Sequence, residues 1–185
     1  MIEERGEAGL RVAELAERCN VAVGLLYHYF KDRQALIAEV RARQFISIVE
    51  HDIHRVTGDM SPHTTVDGLM AMAVESFGAS LVDAARRSNR WKRIAILAAT
   101  EHNEVLRERI REEQAKAAAA LTDLLADAQT KGLVRDDLNP KAIALMIEAI
   151  PLGTVLADIS PSTAPSQEEW MKVLNEVLRT FGPQK

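Results

Sequence analysis

Apolar residues recur through most of the chain at intervals of three and four, the spacing that lays them along one face of a helix. The pattern predicts an all-α fold. It is cleanest near the end, where Trp170, Val173, Leu174, Val177, Leu178 and Phe181 fall at i, i+3, i+4, i+7, i+8 and i+11 behind a Ser166/Glu169 capping box. The preceding segment, about Pro140 to Ala157, is apolar nearly all round: Ile143, Leu145, Met146, Ile147, Ile150, Leu152, Val155 and Leu156. A helix of that kind is expected to be buried on every side. Asn139-Pro140 marks its start, an N-cap followed by proline at the first helical position. Pro151 is expected to kink it, and Ser160 to Pro165 to form a loop.

Upstream, Leu36, Val40, Phe45, Ile48, Val49 and Ile53 predict a long helix over about Arg33–Arg55, then a loop over Thr57–Pro62. Val66, Leu69, Met70, Ala73, Phe77 and Leu81 predict another over Thr64–Arg86. Trp91, Ile94 and Leu97 mark a shorter one over Asn89–Thr100. A helix from Asn103 to about Lys131 carries the run Ala117–Ala120, which invites close packing, and is expected to be capped by Gly132.

The most informative stretch runs from Leu10 to Val40. Val12–Arg18 has helix formers with Leu15 and Ala16 on one side and Glu14, Glu17 and Arg18 on the other. Cys19-Asn20-Val21 breaks it, and asparagine is the non-glycine residue that best tolerates the left-handed backbone a tight turn needs. A second short helix, about Ala22 to Tyr29, would bury Leu26 and either Tyr29 or Phe30. Small Ala16 stands where two crossing helices must approach closely. The pattern is that of a helix-turn-helix, whose second helix enters the DNA major groove.

The run Leu26-Tyr27-His28-Tyr29-Phe30-Lys31-Asp32-Arg33-Gln34-Ala35-Leu36 resembles the signature that ends the recognition helix in the tetracycline-repressor (TetR) family of transcriptional regulators. In that family an L-Y-x-H/Y-F segment is followed by a short turn, a basic residue and an apolar residue opening a long helix. The resemblance implies a helix-turn-helix head, taken as residues 1–43, on a helical regulatory and dimerisation body, residues 44–185. Family members usually carry a full first helix, whereas here only Met1 to Arg5 precede Gly6, so that helix is expected to be mostly absent. Leu10, Leu15, Leu26 and Phe30 would then lose part of their cover.

Composition refines this picture. There are 23 basic and 27 acidic residues, a net charge of −4, which argues against a generally basic nucleic-acid coat protein but not against a local basic face. Between Leu10 and Arg43 the bases Arg11, Arg18, Lys31, Arg33, Arg41 and Arg43 outnumber Glu14, Glu17, Asp32 and Glu39. The single cysteine, Cys19, excludes an intrachain disulfide and suits a reducing cytoplasm. No apolar run is expected to span a bilayer, so the protein is expected to be cytoplasmic, with no membrane partner.

For DNA, Arg11, Tyr27, Tyr29, Lys31 and Arg33 are suitable phosphate partners. The resemblance matches Tyr27 to a tyrosine that contacts the backbone or a thymine methyl, and Arg33 to a basic residue that grips a phosphate. The base-facing positions begin Ala22-Val23-Gly24-Leu25, where the family often has Ser, Thr, Lys or Gln; Ala22 also forfeits a side-chain N-cap. Val23 and Leu25 can touch thymine methyls, Gly24 allows close approach, and His28 is the nearby side chain able to donate to a base. Modest direct readout is expected, with much of the affinity from phosphates and DNA shape.

The resemblance further implies a small-molecule effector cavity in the body, for which Met70, Phe77, Trp91, Ile94, Leu97, His102, Met146 and Ile150 are candidate lining residues; plain core packing is the competing reading for each. It also implies a homodimer on the last two helices, through Ile143, Ile147, Ile150, Val155, Trp170, Val173, Leu174, Val177, Leu178 and Phe181. The alternative is that those helices close the core of one chain. His51 and His54 lie three apart without a cysteine or carboxylate at ligand spacing, so no metal or other cofactor is expected. Nothing resembles a nucleophile elbow, a phosphate-binding glycine loop or a carboxylate pair, and an enzyme is not expected. Two readings remain: a homodimeric repressor that binds a palindromic operator and is released by an apolar or amphipathic ligand, or a helical ligand-binding or interaction protein whose shortened head does not bind DNA.

Overall fold

The computed structural model describes residues 5–58 and 65–183, leaving aside the side chains at 52–58, 69, 70, 76 and 80. The described residues form nine α-helices and no strand: α1 Val12–Arg18, α2 Val23–Tyr29, α3 Arg33–Gly58, α4 Val66–Val82, α5 Ala84–Ala99, α6 Glu104–Thr130, α7 Pro140–Gly153, α8 Val155–Ile159 and α9 Gln167–Arg179. A 3-10 turn, Thr100–His102, joins α5 to α6. The all-α expectation holds.

Helix α3 threads two cores. Its first turns place Leu36 and Ile37 with Leu10 in a small cluster, against which Val12, Leu15, Phe30 and Val40 pack. From Ala38 onward it turns to the body, where Ala38, Ala42, Phe45 and Val49 meet Ile96 of α5 and Leu106, Ile110 and Ala117 of α6. Ala42, Phe45 and Ile96 are wholly excluded from solvent.

The local chemistry explains most helix ends. Asp32 Oδ1 accepts from Ala35 N at 2.8 Å, capping α3. Asn103 and Asn139 accept from Leu106 N and Lys141 N, opening α6 and α7. Gly132 closes α6 at φ +68°, with Leu133 N returning to the Ala128 carbonyl. The Ser166/Glu169 capping box is complete in both directions.

Three expectations need correcting. The helix expected over Thr64–Arg86 stops at Val82, because Asp83 accepts from Ala85 N and Arg86 N and opens α5 instead; Asn89, expected to begin the next helix, lies inside it. Thr57 and Gly58, expected in a loop, end α3, and 59–62 lie outside the described residues. The apolar segment from Pro140 is not buried on every side. It breaks at Thr154, whose hydroxyl donates to the Pro151 carbonyl at 2.7 Å, and Leu145 and Leu156 stand 70% and 71% exposed.

Pro140–Ile159 taken together is also long and apolar enough to cross a membrane by length and composition, contrary to expectation. Its two carboxylates, however, are paired inside the helical body. Asp158 Oδ2 lies 2.6 Å from Arg90 and its Oδ1 3.0 Å from Arg87; Glu148 lies 3.3 Å from Arg93.

Helices α4 and α9 close the far side through Phe77, Leu174 and Leu178, with Ile147, Ile150, Trp170 and Phe181 packed around them. The crossing is close because Gly78 has no side chain: a Cβ there would stand 2.6 Å from Met171 Cγ.

Candidate nucleic-acid interface

The turn between α1 and α2 depends on Asn20, the one non-glycine described residue with positive φ, at 53°. Val21 N donates to the Ala16 carbonyl across it at 2.9 Å, and Ala16 is buried where the helices cross. Helix α2 has no side-chain N-cap at Ala22, as its residue type dictates. Leu26 is half-buried, and of the two aromatic candidates it is Phe30 that packs inward, while Tyr29 is 72% exposed. Cys19, in the break between the two helices, is exposed.

The rest of α2 faces outward. Val23, Leu25 and Tyr27 are 39%, 45% and 50% exposed, and Ala22, Gly24 and His28 lie on the same open surface. The His28 and Tyr29 rings meet edge to face at 5.2 Å, which orients both without covering either.

The nearby cations divide into two groups. Arg18 pairs with Glu14 at 3.0 Å, Arg43 with Glu39 and Arg41 with Glu7 at 2.9 Å. Arg33 donates through Nε to the Leu10 carbonyl at 3.0 Å and through a terminal nitrogen to the Glu7 carbonyl, so its fork points into the head. Arg11 and Lys31 are exposed and make no side-chain bond to the described residues, which leaves both able to meet phosphate. Glu39 also accepts from Arg109 of α6 at 3.3 Å. Its hydrogen bond from Arg43, opposed by partial burial and aided by Arg109, holds its carboxyl below the usual carboxylate value.

In the body the expected lining residues do not gather around one space. Phe77 and Ile150 share the α4–α9 cluster, Leu97 packs against the α3–α6 cluster, and Ile94 is half-buried. Trp91 and Met146 lie on the surface at 42% and 38% exposure, His102 is exposed, and the Met70 side chain lies outside the described residues. Of the expected interface residues, Ile143, Leu174 and Leu178 are covered by their own chain; Ile147, Ile150, Val155, Trp170, Val177 and Phe181 are half-buried, and Val173 is exposed. The open apolar side chains of α7 and α8 are instead Leu145, Met146, Leu156 and Ile159.

Sequence reasoning missed the charged network inside the body. Arg93 sits over the Phe45 ring at 5.6 Å and bonds Gln114 and Glu148 at 3.3 Å; Gln114 also donates to Glu148. The available signal was position, since Arg90, Arg93 and Leu97 share one helical stripe, with charge where an apolar face is expected.

The first 40 residues match the model for bacterial regulatory proteins of the tetR family. The match places a TetR-type helix-turn-helix domain at the N-terminal end of the chain. The TetR-type fold extends over the body too. A TetR-family transcriptional regulator from Cytophaga hutchinsonii superposes with a TM-score of 0.68 at 16% identity, covering 98% of this chain and 88% of that one. Salmonella enterica GusR gives 0.63 at 21% identity, covering 97% and 88%. The transcriptional regulator FadR from Bacillus subtilis, in complex with stearoyl-CoA, gives 0.60 at 20% identity, covering 96% and 91%. No curated protein matches the chain significantly.

Proposed function

We propose that this chain is a regulator of the TetR family, a cytoplasmic, homodimeric repressor that binds a palindromic operator and is released by a small apolar or amphipathic ligand. The observation that carries the reading is the open face of α2, flanked by the unengaged cations Arg11 and Lys31. Residues 1–43 act as the head and 44–185 as the body, with α3 running between them. Two heads held by a two-fold axis meet successive major grooves, one helical turn apart. The exposed Leu145, Leu156 and Ile159 support a second copy as the cover for α7 and α8. The stearoyl-CoA complex of FadR supports an acyl-type effector in the body. Ligand favours a conformation whose heads no longer match the groove spacing, a population shift that needs no turnover.

The test is a footprint of the purified chain on DNA upstream of its own gene, alongside sedimentation. A protected site with two-fold sequence symmetry and a dimeric mass bear the proposal out. A monomeric protein that protects nothing refutes it. Leu145→Glu with Leu156→Glu is expected to give monomers that lose the footprint, because both side chains lie open on the single chain.

A further inference from the structure

The first turn of α2 presents its partner with almost no hydrogen-bonding side-chain chemistry. At 3.6 residues per turn, Gly24 and His28 lie near the centre of the face opposite Leu26, Val23 and Tyr27 on one flank and Leu25 on the other. Val23 and Leu25 are exposed and belong to none of the core clusters. A Cβ built on Gly24 meets nothing within 4 Å, so the glycine is not required by packing inside the chain.

In the major groove every base pair offers donors and acceptors, and an apolar side chain set against them leaves them unsatisfied. Thymine is the exception among the four bases, because its C5-methyl group projects into that groove. Isopropyl and isobutyl groups at Val23 and Leu25 fit such methyls and little else. A bare Gly24 between them lets the helix backbone come close enough for both flanks to reach the groove floor.

We propose that Val23 and Leu25 read thymine methyls in each half-site, with Gly24 setting the close approach and His28 supplying the base-directed hydrogen bond. The inference rests on the DNA-binding reading above and names the sequence class that reading leaves open. Arg11 and Lys31 fix the helix on the backbone and do not discriminate bases.

The experiment is selection by the full chain from a random-sequence duplex pool. Thymine is expected at two or more positions in each selected half-site. Replacing those thymines by uracil removes the methyl and keeps the pairing; binding is expected to weaken about fourfold per methyl lost, the value of one buried methyl-sized group. Val23→Ala and Leu25→Ala are expected to erase the thymine–uracil difference without lowering the melting temperature. Gly24→Ala is expected to bind more weakly while folding at least as stably, because the added methyl has room in the free protein. Specific binding that is indifferent to uracil, or half-sites lacking thymine, overturns the methyl reading and leaves the regulator standing. Failure to enrich any sequence overturns both.

Discussion

Arg33, the first residue of α3, reaches across 23 positions to hold the Leu10 carbonyl at 3.0 Å. The same guanidinium holds the Glu7 carbonyl, so the long helix grips the turn that precedes the helix-turn-helix. Hydrogen bonds from a charged donor contribute about 1.5–3 kcal/mol each. Arg33→Ala is therefore expected to destabilise the head, and any loss of DNA binding to accompany that loosening. Lys31→Ala has no such bond to lose. It is expected to leave the melting temperature unchanged and to reduce the salt slope of DNA binding by about one per protomer. Paired calorimetry and binding isotherms separate the two residues.

Asp158 and Arg90 form a pair in which the side chains are 5% and 3% exposed. Removing one partner of such a pair leaves an uncompensated buried charge, at a cost of about 3–5 kcal/mol. Asp158→Ala is expected to lower stability by that order in urea denaturation. Replacing both by apolar residues, Arg90→Met with Asp158→Leu, is expected to recover much of it. A single variant with wild-type stability would remove the network from the account of what holds α8.

Glu39 links Arg43 of its own helix to Arg109 of α6. Its carboxyl is depressed in the folded chain, so it contributes stability that is present above the ordinary value of 4.5 and is lost as pH falls through the lower folded value. Glu39→Gln is expected to be less stable than wild type at neutral pH and to converge with it in acid. Urea midpoints from pH 6 down to pH 3 test this; a gap that widened on acidification would contradict it.

At Gly78 the prediction is one of shape. A methyl there meets Met171 Cγ at 2.6 Å and Sδ at 2.9 Å. Gly78→Ala is expected to cost about 1–3 kcal/mol by overpacking, despite the better helix propensity of alanine. Met171→Ala in the same chain is expected to relieve it, which a thermal melt would read directly.

Features carried by a few adjacent residues were legible in the sequence. Asn20 at the turn and Gly132 after α6 act through the left-handed backbone each can adopt, and Asn139 before Pro140 and the Ser166/Glu169 box through bonds to neighbouring backbone. Asp83 was not legible, because an aspartate between Val82 and Ala84 fits the solvent side of one continuous helix as well as the cap of a new one. The fate of Leu145 and Leu156 was hidden for a different reason: an apolar helix face does not say whether its own chain covers it. Arg90 and Arg93 find their carboxylates 68 and 55 positions away, beyond the reach of any local pattern. Arg33 fits the family's phosphate-gripping position by sequence, yet its geometry makes it a strut of the head.

The measurement that bears most directly on the central claim is the salt dependence of binding to the selected operator. A dimer whose two heads each neutralise about two phosphates, through Arg11 and Lys31, should give a slope of log affinity against log salt of about −3.6. Tyr27→Ala, on the exposed face of α2, should weaken that binding without unfolding the head. A slope near zero, or affinity indifferent to Tyr27 and Lys31, would contradict the account of α2 and its flanking cations as the DNA-binding surface.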